Sequence, residues 1–255
     1  MKGLKGKFAL VTGGAGGIGL AICRRLAAEG CATAILDLDA DSAGKACAII
    51  REAGGVAIPV VADISNYDAV ASALNDVTAQ GRTFDILVNN AGWDKFGPFI
   101  KQRPDDWRRV IDINLVGMMN VTHVVAPGMI GKAEGRIVNI ASDAGRVGSA
   151  GESSYAAAKG GVIAFTKSMA RELAGKNINV NAVCPGPTET NMMAEVVNSS
   201  GSPEKLRDAL LRLIPMRRFG QPDDVAGIVA FLASDDVAYL TGQVVSVSGG
   251  LTMNG

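Results

Sequence analysis

Four apolar residues, Phe8 to Val11, make a run too short for a helix, and they lead directly into Thr12-Gly13-Gly14-Ala15-Gly16-Gly17-Ile18-Gly19. From Leu20 to Gly30 the apolar residues recur at helical spacing, with Ile22, Leu26 and Ala27 on one side. A strand, a glycine turn and a helix in that order aim backbone N–H groups and a helix N-terminus at one point. That geometry receives a diphosphate. Side chains in the turn would block its approach, so Gly13, Gly17, Ile18 and Gly19 are candidate nucleotide contacts.

The chain continues in the same alternation. A second strand, Ala32 to Leu36, ends at Asp37, where an acidic residue can accept hydrogen bonds from ribose hydroxyls. Leu38 flanks it, and Asp39 and Asp41 follow. A cofactor carrying a 2′-phosphate would meet these carboxylates with no Lys or Arg between Gly13 and Gly19 to neutralise it. A helix from Ser42 to Ala53 precedes a strand from Ala57 to Val61 that runs toward Asp63 and Ile64, placed for an adenine edge. Beyond a helix from Tyr67 to Ala79, the strand Phe84 to Val88 ends in Asn89-Asn90-Ala91-Gly92. There the small residues Ala91 and Gly92 let a cofactor pass close to the backbone, and the amide of Asn89 can tie neighbouring strands. A long helix spans Asp105 to about Ile130, carrying Trp107, Ile111, Leu115, Met118 and Met119. Asn114 interrupts its apolar face, either as a satisfied core amide or as a local bend that holds water near Lys159.

After a strand that ends at Ser142, a glycine-punctuated loop leads to a helix from Tyr155 to about Ala174. The sixth strand, Asn179 to Cys184, breaks at Pro185-Gly186-Pro187. Between Thr188 and Pro215 the pattern weakens, and the segment reads as a mobile flap. A helix from Pro222 to Ala233 and a strand from Val244 to Val247 complete the chain. The expected fold class is α/β, a single doubly wound parallel sheet with helices on both faces, in one domain over residues 1–255.

Tyr155 and Lys159 stand four apart and share one helix face. A phenol is a poor proton shuttle near neutrality, and a neighbouring ammonium favours its ionised form. Ser142 can hydrogen-bond the same substrate oxygen. The three supply a general acid/base, a cation that tunes it and a donor for a carbonyl or alkoxide, which is chemistry for alcohol–ketone interconversion.

Composition removes other classes. Twenty-five Lys and Arg balance 25 Asp and Glu, so there is no electrostatic case for nucleic acid or an anionic membrane. The one histidine, His123, lies in an apolar helical stretch, which argues against a zinc site. The four cysteines show no C-x-x-C pairing and fit a reduced compartment. With no leader-like start and no stretch expected to approach a membrane span, the protein is expected to be soluble and cytoplasmic.

Thr12-Gly13-x-x-x-Gly17-x-Gly19, Asn89-Asn90-Ala91-Gly92, Asn114, Ser142, Tyr155-x-x-x-Lys159 and Pro185-Gly186 with Thr190 fall in one order. In these motifs, from Lys7 to the C-terminus, the chain resembles the short-chain dehydrogenase/reductase family. The resemblance implies a Rossmann-type fold and NAD as cofactor. It makes Tyr155 the proton donor or acceptor, with Ser142 orienting the substrate oxygen. Lys159 would bind the nicotinamide ribose and lower the tyrosine pKa, while Asn114 anchors a water relay to Lys159. Pro185, Gly186, Thr188 and Thr190 would lie along the nicotinamide, with Thr188 and Thr190 at its carboxamide. It also implies a homotetramer in which the two long helices meet their symmetry mates.

Asn90 to Asp94, Ser142 to Ser149 and the ending Ser246 to Gly255 further resemble the 2-hydroxycyclohexanecarboxyl-CoA dehydrogenase subgroup. The expected substrate is therefore a secondary hydroxyl beside a carboxyl thioester. Alternatives are a 3-oxoacyl-thioester reductase, a broad secondary-alcohol dehydrogenase and a non-catalytic nucleotide sensor. Met192 and Met193 suit an alicyclic ring. Asp94, Asp143 and Glu152 disfavour a free carboxylate. Arg146, with Arg207, Arg212, Arg217 and Arg218, offers cations to a CoA phosphate.

Overall fold

The computed structural model describes residues 1–79 and 81–253; Asn254 and Gly255, at the end of the C-terminal motif, lie outside the described residues. Seven strands form one sheet: β1 (Phe8–Thr12), β2 (Ala32–Asp37), β3 (Val56–Val61), β4 (Ile86–Asn89), β5 (Gly135–Ile140), β6 (Ile178–Pro185) and β7 (Val244–Val247). Their order is β3-β2-β1-β4-β5-β6-β7, and every pairing is parallel. The order reverses between β1 and β4, so the turns leaving these two strands part and open a crevice at their carboxyl ends.

Alternate residues of each strand serve opposite faces, as the pleat requires. Ala9, Val11, Ile86, Val88, Val138 and Ile140 join one core with Ile22, Leu26, Val225 and Val229. These last come from α1 (Gly17–Ala28) and α10 (Pro222–Ala233); α2 (Ala40–Glu52) lies on the same face. Phe8, Leu10, Leu87 and Ile137 join the other core, covered by α3 (Tyr67–Thr78), α5 (Gly117–Lys132) and α7 (Ser153–Leu173). With only seven Phe, two Trp and three Tyr in the chain, aliphatic side chains fill both layers.

The long helix expected from Asp105 is three pieces in one run: α4 (Pro104–Ile111), a π-helical turn over Asp112–Val116, and α5. Asn114 sits at the centre of that turn and is 1% exposed. Contrary to expectation, the run from Pro104 to Lys132 is long and apolar enough by length and composition to cross a membrane, with 44% of its most apolar window buried. Val121, Val125 and Met129 spend one side of it on the sheet, while Val116, Met119 and Ile130 remain exposed on another.

The strand before Ser142 stops at Ile140, two residues earlier than expected, and a one-turn helix, α6 (Ala144–Val147), follows. The segment of weak pattern holds two helices, α8 (Asn191–Ser199) and α9 (Pro203–Leu213). On α9 the leucines Leu206, Leu210 and Leu213, spaced along a helix that also carries five charged residues, line the cavity, and on α8 Met192, Met193 and Val196 do so. All four cysteines are buried and free. His123 meets the Tyr67 hydroxyl at 2.9 Å through Nδ1.

Candidate active site

The crevice at the strand reversal is a cavity of about 880 Å³. Its floor is the glycine turn. At Gly13 a Cβ would stand 2.8 Å from Ala91 Cα, and at Gly19 one would stand 2.0 Å from the Gly13 carbonyl oxygen. Both positions are closed by the protein itself. Gly16, in contrast, lines the cavity and has nothing within 4 Å of where its Cβ would be, so that face is open to a ligand. Gly13, Gly17 and Ile18 line it too, but buried Gly19 does not. Its lack of a side chain lets α1 start against the Gly13 carbonyl.

Asp37 ends β2 at the cavity, where its Oδ2 accepts from Ala15 N at 3.1 Å and its Oδ1 from Asp39 N at 3.4 Å. Leu38, Asp63 and Ile64 line the same end. Asp63 Oδ1 accepts from the backbone and hydroxyl of Ser65 at 2.9 and 2.7 Å. Across the crevice, Thr12 Oγ1 accepts from Asn90 N and Ala91 N, and Asn90 Nδ2 donates to the Thr12 and Gly13 carbonyls, each at 2.9–3.0 Å. Ala91 and Gly92 are thereby fixed in the wall. Asn89 is not part of it. Its amide donates to Asn139 Oδ1 at 2.8 Å and Thr122 Oγ1 at 3.0 Å, so its side chain has the expected strand-tying role, which leaves only its backbone for the cofactor contact that the sequence pattern also offered at this position.

Ser142, Tyr155 and Lys159 line the cavity together. Lys159 is buried and donates through Nζ to Ile140 O at 2.9 Å; burial pushes its pKa down to about 8. Burial also pushes the Tyr155 phenol above its ordinary range, helped by the charges of Glu152 and Asp94 and opposed by the Ser142 hydroxyl. Lys159 is not among the groups that set this direction. Its Nζ lies 5.6 Å from the ring centroid, while burial with two carboxylates makes the net shift upward. The protein groups hold Tyr155 as a neutral phenol with a proton to give.

Asn114 stands one layer behind. Its Nδ2 donates to Trp93 O at 2.5 Å and Val110 O at 2.8 Å, while its buried Oδ1 has no hydrogen-bond partner among the described residues. A Cβ on Gly92 would be 2.7 Å from that oxygen and 3.5 Å from Lys159 Nζ, so the two polar atoms flank one glycine. A free acceptor facing a lysine across a gap is where a water would sit.

The far side is formed by Pro185, Gly186, Thr188 and Thr190, then Met192 and Met193 at the start of α8. Thr190 caps that helix, accepting from Met193 N at 3.2 Å, and its Cγ2 is 3.4 Å from the Cβ position of Gly17. Glu152 and Asp143 line the cavity, although Asp143 Oδ1 accepts from Ser246 Oγ at 2.6 Å. Asp94 lies behind the wall, with Oδ1 taken by Lys95 N; burial and then Glu152 push its pKa up to about 6.

Of the expected CoA cations, Arg146, Arg207, Arg217 and Arg218 are engaged elsewhere, whereas Arg212 is exposed and contributes only its carbonyl to these contacts. Arg146 turns away to Ser246 Oγ and Val244 O at 2.7 and 3.2 Å. Arg207 pairs with Glu189, Arg218 with Asp224, and Arg217 donates to Arg212 O. Residues with no assigned role in the sequence reading complete the lining. They include Trp93, Phe96, Arg109, Ile113, Val196 and Leu206 with Leu210 and Leu213. Arg109 and Ile113 are four apart on the helix that carries Asn114, a spacing that could have found them.

The family profile described as Enoyl-(Acyl carrier protein) reductase matches residues 13–252. The 3-oxoacyl-[acyl-carrier-protein] reductase FabG of Thermotoga maritima is 40% identical over 253 residues, covering 98% of this chain and 99% of that protein. The acetoacetyl-CoA reductase of Shinella zoogloeoides is 42% identical over 245 residues, covering 96% and 98%. Among solved structures, a 3-oxoacyl-[acyl-carrier protein] reductase with bound NAD from Brucella melitensis superposes with a TM-score of 0.89 at 36% identity, covering 98% of this chain and 92% of that one.

Proposed function

Since the chain belongs to the short-chain dehydrogenase/reductase family, we propose that this oxidoreductase interconverts a 3-oxoacyl thioester and its 3-hydroxyacyl alcohol, with NAD(H) as the cofactor. The observation that carries the reaction type is the convergence of Ser142, Tyr155 and Lys159 on one cavity at the strand reversal. The thioester class is supported by the reductases to which the chain is similar. Thus the 3-oxoacyl-thioester alternative has more support than the narrower alicyclic subgroup.

A nicotinamide dinucleotide fits the residues present. Gly16 leaves an open cradle at the start of α1, and Asp37 presents a fixed carboxylate 21 residues further on. Gly13, Gly17 and Ile18 would hold the diphosphate, Asp37 and Leu38 the adenosine ribose, and Asp63 and Ile64 the adenine. Ala91, Gly92, Tyr155, Lys159, Pro185, Gly186, Thr188 and Thr190 would line the nicotinamide half. When bound, the cofactor supplies or accepts the hydride.

The chain's own part is the oxygen chemistry. In reduction, Ser142 donates a hydrogen bond to the carbonyl oxygen and Tyr155 gives that oxygen its proton as the C–O π bond opens. Lys159 returns a proton to Tyr155, and Asn114 Oδ1 orients the water that replenishes Lys159. A phenol held neutral by burial suits this direction, because the acid is fully loaded at neutral pH. Glu152 and Asp143 keep an ionised carboxylate away from Tyr155, whereas a thioester carbonyl is neutral. The apolar flap, with Met192, Met193, Leu206 and Leu210, can cover an acyl chain or a ring. 2-Hydroxycyclohexanecarboxyl-CoA, a ring-bearing member of the same 3-hydroxyacyl class, is therefore included among the candidates. The segment from Thr188 to Pro215 acts as the flap of a single catalytic domain, in a cytoplasmic enzyme.

The experiment is a comparison of kcat/KM for acetoacetyl-CoA, 2-hydroxycyclohexanecarboxyl-CoA, the matching free acids and cyclohexanol. Thioesters should lead by at least about tenfold, roughly 1.4 kcal/mol of transition-state binding. A free acid or plain alcohol that outperforms them removes the thioester from the function.

A further inference from the structure

We infer that Arg109, held over the ring of Trp93 at the cavity mouth, is the residue that receives the phosphate of a phosphopantetheine arm. The inference rests on the thioester reading above and adds a named anchor for the carrier end of the substrate.

Only two cations line the cavity among the described residues, Lys159 and Arg109. Lys159 is buried against Ile140 O and belongs to the reacting end. Arg109 is exposed, and its guanidinium carbon lies 4.6 Å from the centroid of the Trp93 ring. It makes no ion pair and no side-chain hydrogen bond among the described residues, in contrast with its neighbours. Arg103 and Arg108 share Asp105, and Arg103 also meets Asp106. The aromatic face therefore fixes the plane of a guanidinium whose five N–H donors are all still available, which is the form in which arginine grips a phosphate.

Position separates this group from the chemistry. Arg109 lies five residues before Asn114 on one helical run, more than one turn away. A helical side chain leans toward the helix N-terminus, which is here the outward end. Trp93, on which it rests, directly follows Gly92 in the wall and offers its own carbonyl to Asn114. The reacting end and the cation are thus two ends of one wall. Away from the glycine turn, the cavity is lined by the acids Asp37, Asp63, Asp143 and Glu152, which disfavour a second anion beside them. A thioester whose carbonyl is at Tyr155 needs its first negative charge many bonds away along the arm, and among the described residues Arg109 is the one exposed cation that lines the cavity.

The test reads binding, so it does not depend on turnover. Dissociation constants for free 4′-phosphopantetheine and for pantetheine are measured by calorimetry with NAD present, for the wild type and for Arg109→Gln and Arg109→Lys. In the wild type the phosphate should tighten binding by about tenfold, as one charge-assisted pair predicts. Arg109→Gln should bring the ratio of the two constants close to one, and Arg109→Lys should recover part of it because the charge returns without the stacked fork. Raised salt should shrink the wild-type ratio. Parallel titrations with coenzyme A and with a phosphopantetheinylated carrier protein then show which source of the arm the mouth accepts, and tight binding of either supports the inference. A wild type that does not distinguish phosphopantetheine from pantetheine, or a ratio that survives Arg109→Gln, overturns it. Failure of every thioester to react would remove the proposed function alone, since the ratio is measured independently.

Discussion

Asp37 offers the sharpest quantitative test of cofactor choice. Its carboxylate is held by Ala15 N–H at 3.1 Å and Asp39 N–H at 3.4 Å, so both oxygens are oriented while lone pairs remain for ribose hydroxyls. A hydrogen bond to a charged group contributes about 1.5–3 kcal/mol, and the half-exposed position argues for the lower end, about 1.5 kcal/mol. A 2′-phosphate would add repulsion of about 4 kcal/mol per charge pair at 4 Å and an effective dielectric of 20; halved for solvent, about 2 kcal/mol remains. The sum, about 3.5 kcal/mol, corresponds to a preference of a few hundredfold for NAD over NADP. Asp37→Asn is the informative variant, because an amide oxygen can keep the bond from Ala15 N–H while the charge is lost. Steady-state kcat/KM with each cofactor should show the preference falling to within about tenfold in Asp37→Asn, with Tm unchanged. A wild-type enzyme that uses the two cofactors equally, or a preference that persists in Asp37→Asn, would refute the reasoning.

The acidic surroundings of Tyr155 predict a pH effect with a definite sign. Glu152 raises the phenol pKa, so in Glu152→Gln the loss of reductase activity with rising pH should begin at lower pH; a limb that stays or moves up contradicts this. The glycine turn separates folding from binding. Gly19→Ala places a methyl 2.0 Å from Gly13 O and should cost about 1–3 kcal/mol or more of stability. Gly16→Ala should keep its Tm and raise the KM for NAD about tenfold; equal melting losses in the two would undo the distinction. Val116, Met119 and Ile130, exposed on the Pro104–Lys132 run, together with the family resemblance, predict a homotetramer. Light scattering that returns a monomer at micromolar concentration excludes it.

Sequence pattern revealed the sheet because most of these parallel strands read as short apolar runs, and all seven are followed by a helix or a glycine- or proline-marked turn. It located Ser142, Tyr155 and Lys159 because their spacing is set by one strand end and one helix face. It could not reveal which way a side chain turns. Arg146 looks like a free cation beside Ser142, yet it is aimed at β7. Asn89 and Gly19 belong to the same motifs as true cavity residues but face the core. The flap helices were hidden because α8 is only nine residues long and the leucines of α9 stand among charges, both weak periodic signals. The sign of the Tyr155 shift depended on the degree of burial, a tertiary quantity that local spacing does not contain. Trp93 and Arg109 meet only because the loop after β4 folds back on the helix that carries Asn114.

The central claim is that Tyr155 exchanges the proton of an alcohol–ketone interconversion, and Tyr155→Phe tests it most directly. The variant should bind NAD(H) with the affinity of the wild type, measured by nicotinamide fluorescence. It should lose at least about a hundredfold in kcat for acetoacetyl-CoA reduction, the low end for removal of a general acid. Near wild-type turnover with cofactor binding intact would contradict the account.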